Sequence, residues 1–288
     1  MTETHQLADR IESTMDRIEA NYEGSSPITK TGHDDLDRIL NGGLRAGQLI
    51  VVGGQTAHGK STLCLDMVRQ TAIRGGETAL LFTLEGIADG VTQRIFCAES
   101  DVSYAASQAG HMTDDAWVRM TEVIPAIESA PILINDRAKT ISYVTKVSRS
   151  MAEEHDLGLI VVDDLNLLSA NRPMESRYQE VSEFSRELKR LAKDLEVPVV
   201  AVSQLHRGIE ARGDDALPKL SDLRDSGTLE ADADVVILVN RPDAQNRDHE
   251  RAGEVDLIVS KNRGGAAGTV RLAHQLHYCK FADLVPAR

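Results

Sequence analysis

Residues 49–62 read LIVVGGQTAHGKST. An apolar β-branched run is followed at once by two glycines, a spacer and Gly-Lys-Ser, and Gly54 to Ser61 fits the spacing G-x-x-x-x-G-K-[ST]. The chemistry explains the spacing. Glycine at Gly54 and Gly59 lets the backbone bend around an anion, so that successive N–H groups and a following helix N-terminus point at phosphate oxygens. Lys60 is placed to reach β- and γ-phosphates, the Ser61 hydroxyl to coordinate Mg²⁺, and Thr62 closes the nucleotide-binding stretch. The expected ligand is ATP or another nucleoside triphosphate, with Mg²⁺.

Three more polar sites come directly after apolar runs. Glu85 comes after TALLFT (78–83), Asp163 and Asp164 close the LIVV portion of LGLIVVDDLNLL (157–168), and Gln204 ends PVVAVS (198–203). In a parallel sheet, ligands gather at the carboxyl ends of the strands, so these positions are where chemistry is expected. Asp163 is the better candidate for holding Mg²⁺ through water, Asp164 the second; a strand-end Asp that merely caps the next turn is the competing reading. Glu85 could orient and deprotonate an attacking water, or simply be a carboxylate near a helix start. Gln204 could sense a γ-phosphate.

The elements that must position these residues are read from hydrophobic period. Residues 4–22 carry Leu7, Ile11, Met15 and Ile18 at helical spacing, and this stripe must be covered either by its own domain or by a neighbouring subunit. EGSSP (23–27) reads as a linker. A short helix over 34–40 ends at Asn41-Gly42-Gly43 and delivers the chain to the strand at 49–52. Strands are expected at 78–83, 131–135, 157–168, 198–203 and 234–239, with helices over 88–99, 114–129, 141–155 and 177–195 between them. Residues 206–217 are polar and read as a mobile loop, and 254–260 with 269–273 read as a hairpin about NRGG. Alternating strands and helices imply an α/β fold, a mainly parallel twisted sheet flanked by helices, with a C-terminal antiparallel hairpin. The expected division is an amphipathic linker helix at 1–26 and one ATPase domain at 27–288.

Composition sets bounds. With 288 residues and 41% apolar content the chain can bury a sizeable core. Aromatics at 3% are too few for a base-stacking platform. The net charge of −13 argues against DNA wrapped over the outer surface, and leaves room only for a few cations gathered in one place, such as a central channel. Cys64, Cys97 and Cys279 lie far apart, which suits reduced thiols. The polar start Met1 to Gln6 does not read as a signal peptide, and no apolar run reaches the length of a membrane span, so a cytoplasmic protein is expected.

Together, GGQTAHGKST, FTLEG (82–86), LIVVDDLNLL, VVAVSQLHR (199–207), SDLRDSGTLEADADVVILVNR (221–241) and SKNRGGAAGTVRL (260–272) resemble the RecA-like P-loop NTPase motor domain of the DnaB-type replicative helicases, in order and over most of the chain. SDLRDSG with K-x-R-x-G is more specific than the phosphate loop alone. The resemblance implies a homo-oligomer, a hexameric ring that hydrolyses nucleotide between subunits and translocates on single-stranded DNA. It assigns Glu85 as the catalytic glutamate, Asp163 as the Mg²⁺ aspartate and Gln204 as the coupling glutamine. Lys261 and Arg263 match the pair that reaches a neighbour's γ-phosphate, and Arg224, Asp225 and Gly227 the loop that tracks the DNA backbone.

Two departures accompany it. Asp164 stands where an aromatic is usual, and the family's N-terminal domain has no counterpart here, so a partner supplying it is expected and 4–22 resembles only the linker helix. The alternative function is a RecA-fold regulatory or recombination-type ATPase that does not unwind DNA; a third is a binding module with vestigial hydrolysis, against which Glu85, Asp163 and Arg263 speak.

Overall fold

The computed structural model describes residues 6–23, 28–206, 209, 212, 216–223 and 227–284. A 3₁₀ turn leads into α1 (Ile11–Glu23). Its apolar stripe Leu7, Ile11, Met15, Ile18 and Tyr22 is more than half exposed at every position, so its own domain does not cover it. A small antiparallel ribbon of β1 (Ile28–Thr29) and β2 (Leu44–Arg45) brackets α2 (Asp34–Ile39).

Then come β3 (Leu49–Gly54), α3 (Lys60–Arg69), β4 (Thr78–Thr83), α4 (Ala88–Ser100), α5 (Tyr104–Ala109), α6 (Asp114–Ser129) and β5 (Ile132–Asn135). They are followed by α7 (Ile141–Glu154), β6 (Leu157–Asp163), α8 (Arg177–Leu195), β7 (Val199–Gln204), α9 (Gly227–Asp232) and β8 (Val235–Asn240). The chain closes on β9 (Glu254–Asn262), β10 (Gly268–Gln275) and β11 (Lys280–Asp283).

One nine-stranded sheet runs in the order β11-β10-β9-β8-β3-β7-β6-β4-β5. From β8 to β5 every pairing is parallel; β8 to β11 pair antiparallel. All six residues of β3 and of β4 are buried, as expected for central strands covered on both faces. Alternate residues feed two cores. Ile50 and Val52 join Leu63, Met67 and Leu257 on one face, whereas Leu49 and Val51 join Phe184, Leu188 and Leu191 of α8 on the other. Apolar burial on both faces therefore holds β3 and the loop it carries.

The expected sheet and hairpin are observed, with local differences. The run 157–168 is not one strand: β6 stops at Asp163 and Leu165–Leu167 forms a 3₁₀ turn, because Asp164 caps it by accepting from Asn166 N–H at 2.8 Å. The hairpin extends to a third strand, β11, and α5 and α9 are six-residue helices whose period is too short to read. The loop expected over 206–217 lies largely outside the described residues. Cys64, Cys97 and Cys279 are all free and buried, and among the described residues no helix is long and apolar enough to cross a membrane.

Candidate functional site

The phosphate loop leaves β3 at Gly54 and enters α3 at Lys60. Gly59 lies at φ +97° and a Cβ there would meet Phe281 Cζ at 2.5 Å, so only glycine fits both the turn and the close approach of β11. The first N–H groups of α3 come at once, an anion-binding helix start. Lys60 Nζ donates to Gln55 O at 3.0 Å, inside the loop it must serve. Burial pulls its pKa down, while the carboxylates of Asp164, Asp163 and Glu85 pull it up.

The two adjacent aspartates separate by environment. Asp163 ends β6, and burial lifts its pKa to about 6, opposed by a hydrogen bond from the Ser61 hydroxyl. Asp164 is occupied as the cap of the next turn, although it also lines the cleft. A buried carboxylate with a serine hydroxyl beside it is a donor pair suited to a hard divalent cation that keeps most of its ligands as water and phosphate oxygen. Among the described residues no three His, Cys, Asp or Glu side chains cluster as a metal cage. The residues fit Mg²⁺ carried in with a nucleotide.

Sheet register gathers the remaining strand ends. Thr83 stands beside Asp163, and Gly54 beside Gln204, so Glu85, Asp163, Gln204 and the loop share one edge. Gln204 Nε2 donates to Thr56 Oγ1 at 2.6 Å. Glu85 is not the helix cap that its position allowed. Asp136 Oδ2 takes the N–H of Ala88 at the start of α4 at 3.0 Å, and among the described residues nothing hydrogen-bonds the Glu85 carboxylate. A cleft of about 440 Å³ opens here, lined by Lys60, Ser61, Thr62, Glu85 and Gln204.

Its far wall was not legible in the sequence. Arg94 of α4 lies over the ring of Tyr104 of α5, 5.6 Å from its centroid, and both line the cleft with Leu276 and Cys279. A cation on an aromatic beside an aliphatic side chain is a surface on which a flat base can stack. No local pattern marks these residues; only the packing of α4, α5 and the turn after β10 brings them together.

Lys261 and Arg263 are elsewhere. Because β9 runs antiparallel to β8, Asn262 pairs with Val235, which pairs with Ile50, four residues before Gly54. The K-N-R turn thus lies at the edge of the sheet opposite the phosphate loop, ~13 Å or more away along the strands. There Lys261 Nζ donates to Ala231 O at 3.2 Å and Arg263 Nη2 to the same carbonyl at 2.5 Å, at the C-terminus of α9. Arg224 and Asp225 lie outside the described residues; Gly227 is the first residue of α9.

Residues 29–283 match the family described as DnaB-like helicase C terminal domain. The chain belongs to this family. It is 41% identical over 283 residues to the replicative DNA helicase DnaB of Leifsonia xyli subsp. xyli (strain CTCB07), covering 97% of this chain and 62% of that protein. The chain therefore spans under two thirds of the length of that relative. Among solved structures, an ATPase domain determined on its own superposes with a TM-score of 0.87 at 26% identity, over 96% of this chain and 99% of that one. A DnaB-like replicative helicase, solved in work on its interactions with primase, gives 0.87 and 26% over 98% of this chain and 68% of its own. The fold is accordingly the RecA-like one of DnaB-like ATPase domains, a mostly parallel mixed sheet flanked by helices with an antiparallel C-terminal edge.

Proposed function

We propose that this chain is the ATP-hydrolysing motor domain of a DNA helicase, working as a ring of identical subunits, six as in the family resemblance, on single-stranded DNA. The observation that carries the reading is the placement of Arg263. It is displayed at the sheet edge opposite its own phosphate loop, where it cannot serve its own cleft but is free to enter another subunit's. A site completed from a neighbour makes a head-to-tail interface, which closes into a ring.

Within one cleft the residues take distinct roles. The loop N–H groups between Gly54 and Gly59, with Thr62, hold the phosphate chain, and Lys60 neutralises its β- and γ-oxygens. Ser61 and Asp163 hold Mg²⁺, which when bound offsets charge on the phosphates. Glu85, with its carboxylate unengaged, takes the proton of the attacking water. Gln204, tied to Thr56, links the loop to the end of β7. Arg94 and Tyr104 form the base wall. Lys261 and Arg263 approach the neighbour's γ-phosphate, and Arg224, Asp225 and Gly227 contact the DNA backbone, as the sequence resemblance implies. The exposed stripe of α1, treated as a linker at 1–26 separate from the domain at 27–288, docks on the adjacent subunit.

The test is complementation. Lys60→Ala and Arg263→Ala should each be inactive in ATP hydrolysis, because a finger supplied in trans is worth ~10³–10⁵ in rate. Mixed with verified subunit exchange, roughly a quarter of interfaces join an intact loop to an intact finger, and hydrolysis returns. No recovery sinks the shared-site reading, and a forked substrate then separates unwinding from the non-unwinding alternative.

A further inference from the structure

A second polar cluster lies against the phosphate loop but takes no part in lining the nucleotide cleft. It begins at Arg241, the first residue past β8, the strand that flanks β3 and stands beside Gly54 at Val239. Arg241 holds the loop twice. Its guanidinium Nη1 donates to Ala57 O at 3.1 Å, and its backbone N–H donates to His58 Nδ1 at 3.2 Å. These are the two residues before Gly59 and Lys60.

The guanidinium is itself anchored. Its Nε donates to Asp243 Oδ1 at 2.9 Å; the other oxygen, Oδ2, takes Gly253 N–H at 3.1 Å and pairs with His274 Nε2 of β10 at 2.7 Å. Burial alone would raise the Asp243 pKa, but these hydrogen bonds outweigh it and hold it at about 2. Arg241 therefore faces a fixed carboxylate tied to the C-terminal hairpin, and its direction is set from outside the loop.

The loop needs such a hold. Ala57 sits at φ +64°, a conformation that costs a non-glycine residue ~1–2 kcal/mol. A loop that cradles phosphate must turn N–H groups toward the anion and carbonyls away from it. A cation on the Ala57 carbonyl keeps that oxygen out of the cradle, and His58, only 6% exposed, offers Nδ1 as an acceptor only while neutral.

We infer that Arg241 is a positioning residue for the phosphate loop: through Ala57 and His58 it sets the loop geometry that receives the nucleotide's phosphates, without touching the nucleotide. The inference rests on reading Gly54–Ser61 as the nucleotide site.

MgADP binding to the full chain tests it, by titration and by the shift in melting temperature that MgADP produces, with Lys60→Ala as the reference for a lost site. Arg241→Ala should weaken MgADP at least ~10-fold and abolish most of the MgADP-induced shift, while the nucleotide-free melting point moves little. Arg241→Lys, which keeps one cationic donor for the Ala57 carbonyl, should recover part of the affinity. A merely structural role would do the reverse, lowering the nucleotide-free melting point and leaving affinity within ~2-fold, and that result overturns the proposal. If Arg241→Ala does not fold, Arg241→Gln is read by the same criterion; failure of both to fold marks the residue as structural and also overturns it. A parent chain that itself binds no MgADP removes the nucleotide site, and this inference with it.

Discussion

Gln204 donates from Nε2 to Thr56 Oγ1 at 2.6 Å, joining the end of β7 to the middle of the phosphate loop. The bond is exposed and neutral, so its net worth is on the order of 1 kcal/mol, a factor of about 2–10. Gln204→Ala should therefore keep MgADP affinity within ~10-fold. What it should lose is the stimulation of ATP hydrolysis by single-stranded DNA, because the link between strand end and loop is cut. Hydrolysis rates with and without DNA check this; unchanged stimulation would remove Gln204 from coupling.

Glu85→Gln should bind ATP normally and turn over at least ~100-fold more slowly, the scale of a lost general base. Since Asp136 rather than Glu85 holds the start of α4, thermal unfolding should move by no more than the ~0.5 kcal/mol typical of a surface change. A variant that hydrolyses at the parent rate but melts early would return Glu85 to a structural role.

His58 gives a pH dependence. Burial first, then the charges of Arg241 and Lys60, lowers its pKa from 6.5 to about 4. Below pH 6.5 the unfolded chain takes up a proton that the folded chain refuses until about pH 4. Stability is therefore lost as pH falls through this window, by up to ~3 kcal/mol. Urea unfolding from pH 7 to 4 should show a shallower decline in His58→Gln than in the parent; identical slopes would contradict a buried neutral imidazole.

Asp234 joins the finger turn to the central strand. Its Oδ2 accepts from Leu49 N–H at 2.8 Å and Lys189 Nζ at 2.6 Å, its Oδ1 faces Arg263 Nη1 at 3.5 Å, and its backbone O takes Arg263 N–H at 2.8 Å. Asp234→Ala removes the acceptor that Leu49 N–H and Lys189 share and should cost about 2–4 kcal/mol in unfolding. Asp234→Asn keeps an acceptor for Leu49 and should cost less. Equal costs would show that the charge contributes nothing.

Local chemistry made the phosphate loop, Glu85, Gln204 and the central strands readable, because each is a contiguous pattern. Buried parallel strands must be apolar runs, and the residues just past them must sit at the ligand edge of the sheet. The same reasoning left Asp163 and Asp164 as rivals, since both come after LIVV. Their roles separate in space, where Ser61 lies against one and the Asn166 N–H against the other. The Arg94–Tyr104 wall, the hold of Arg241 on Ala57 and the remote display of Arg263 had no local signal, for they depend on which strands are neighbours. Hydrophobic period says that a segment is a strand buried on both faces, but it carries no information about strand order or direction. Those are decided when the chain packs into one sheet, and that order sends Lys60 to one edge and Arg263 to the other.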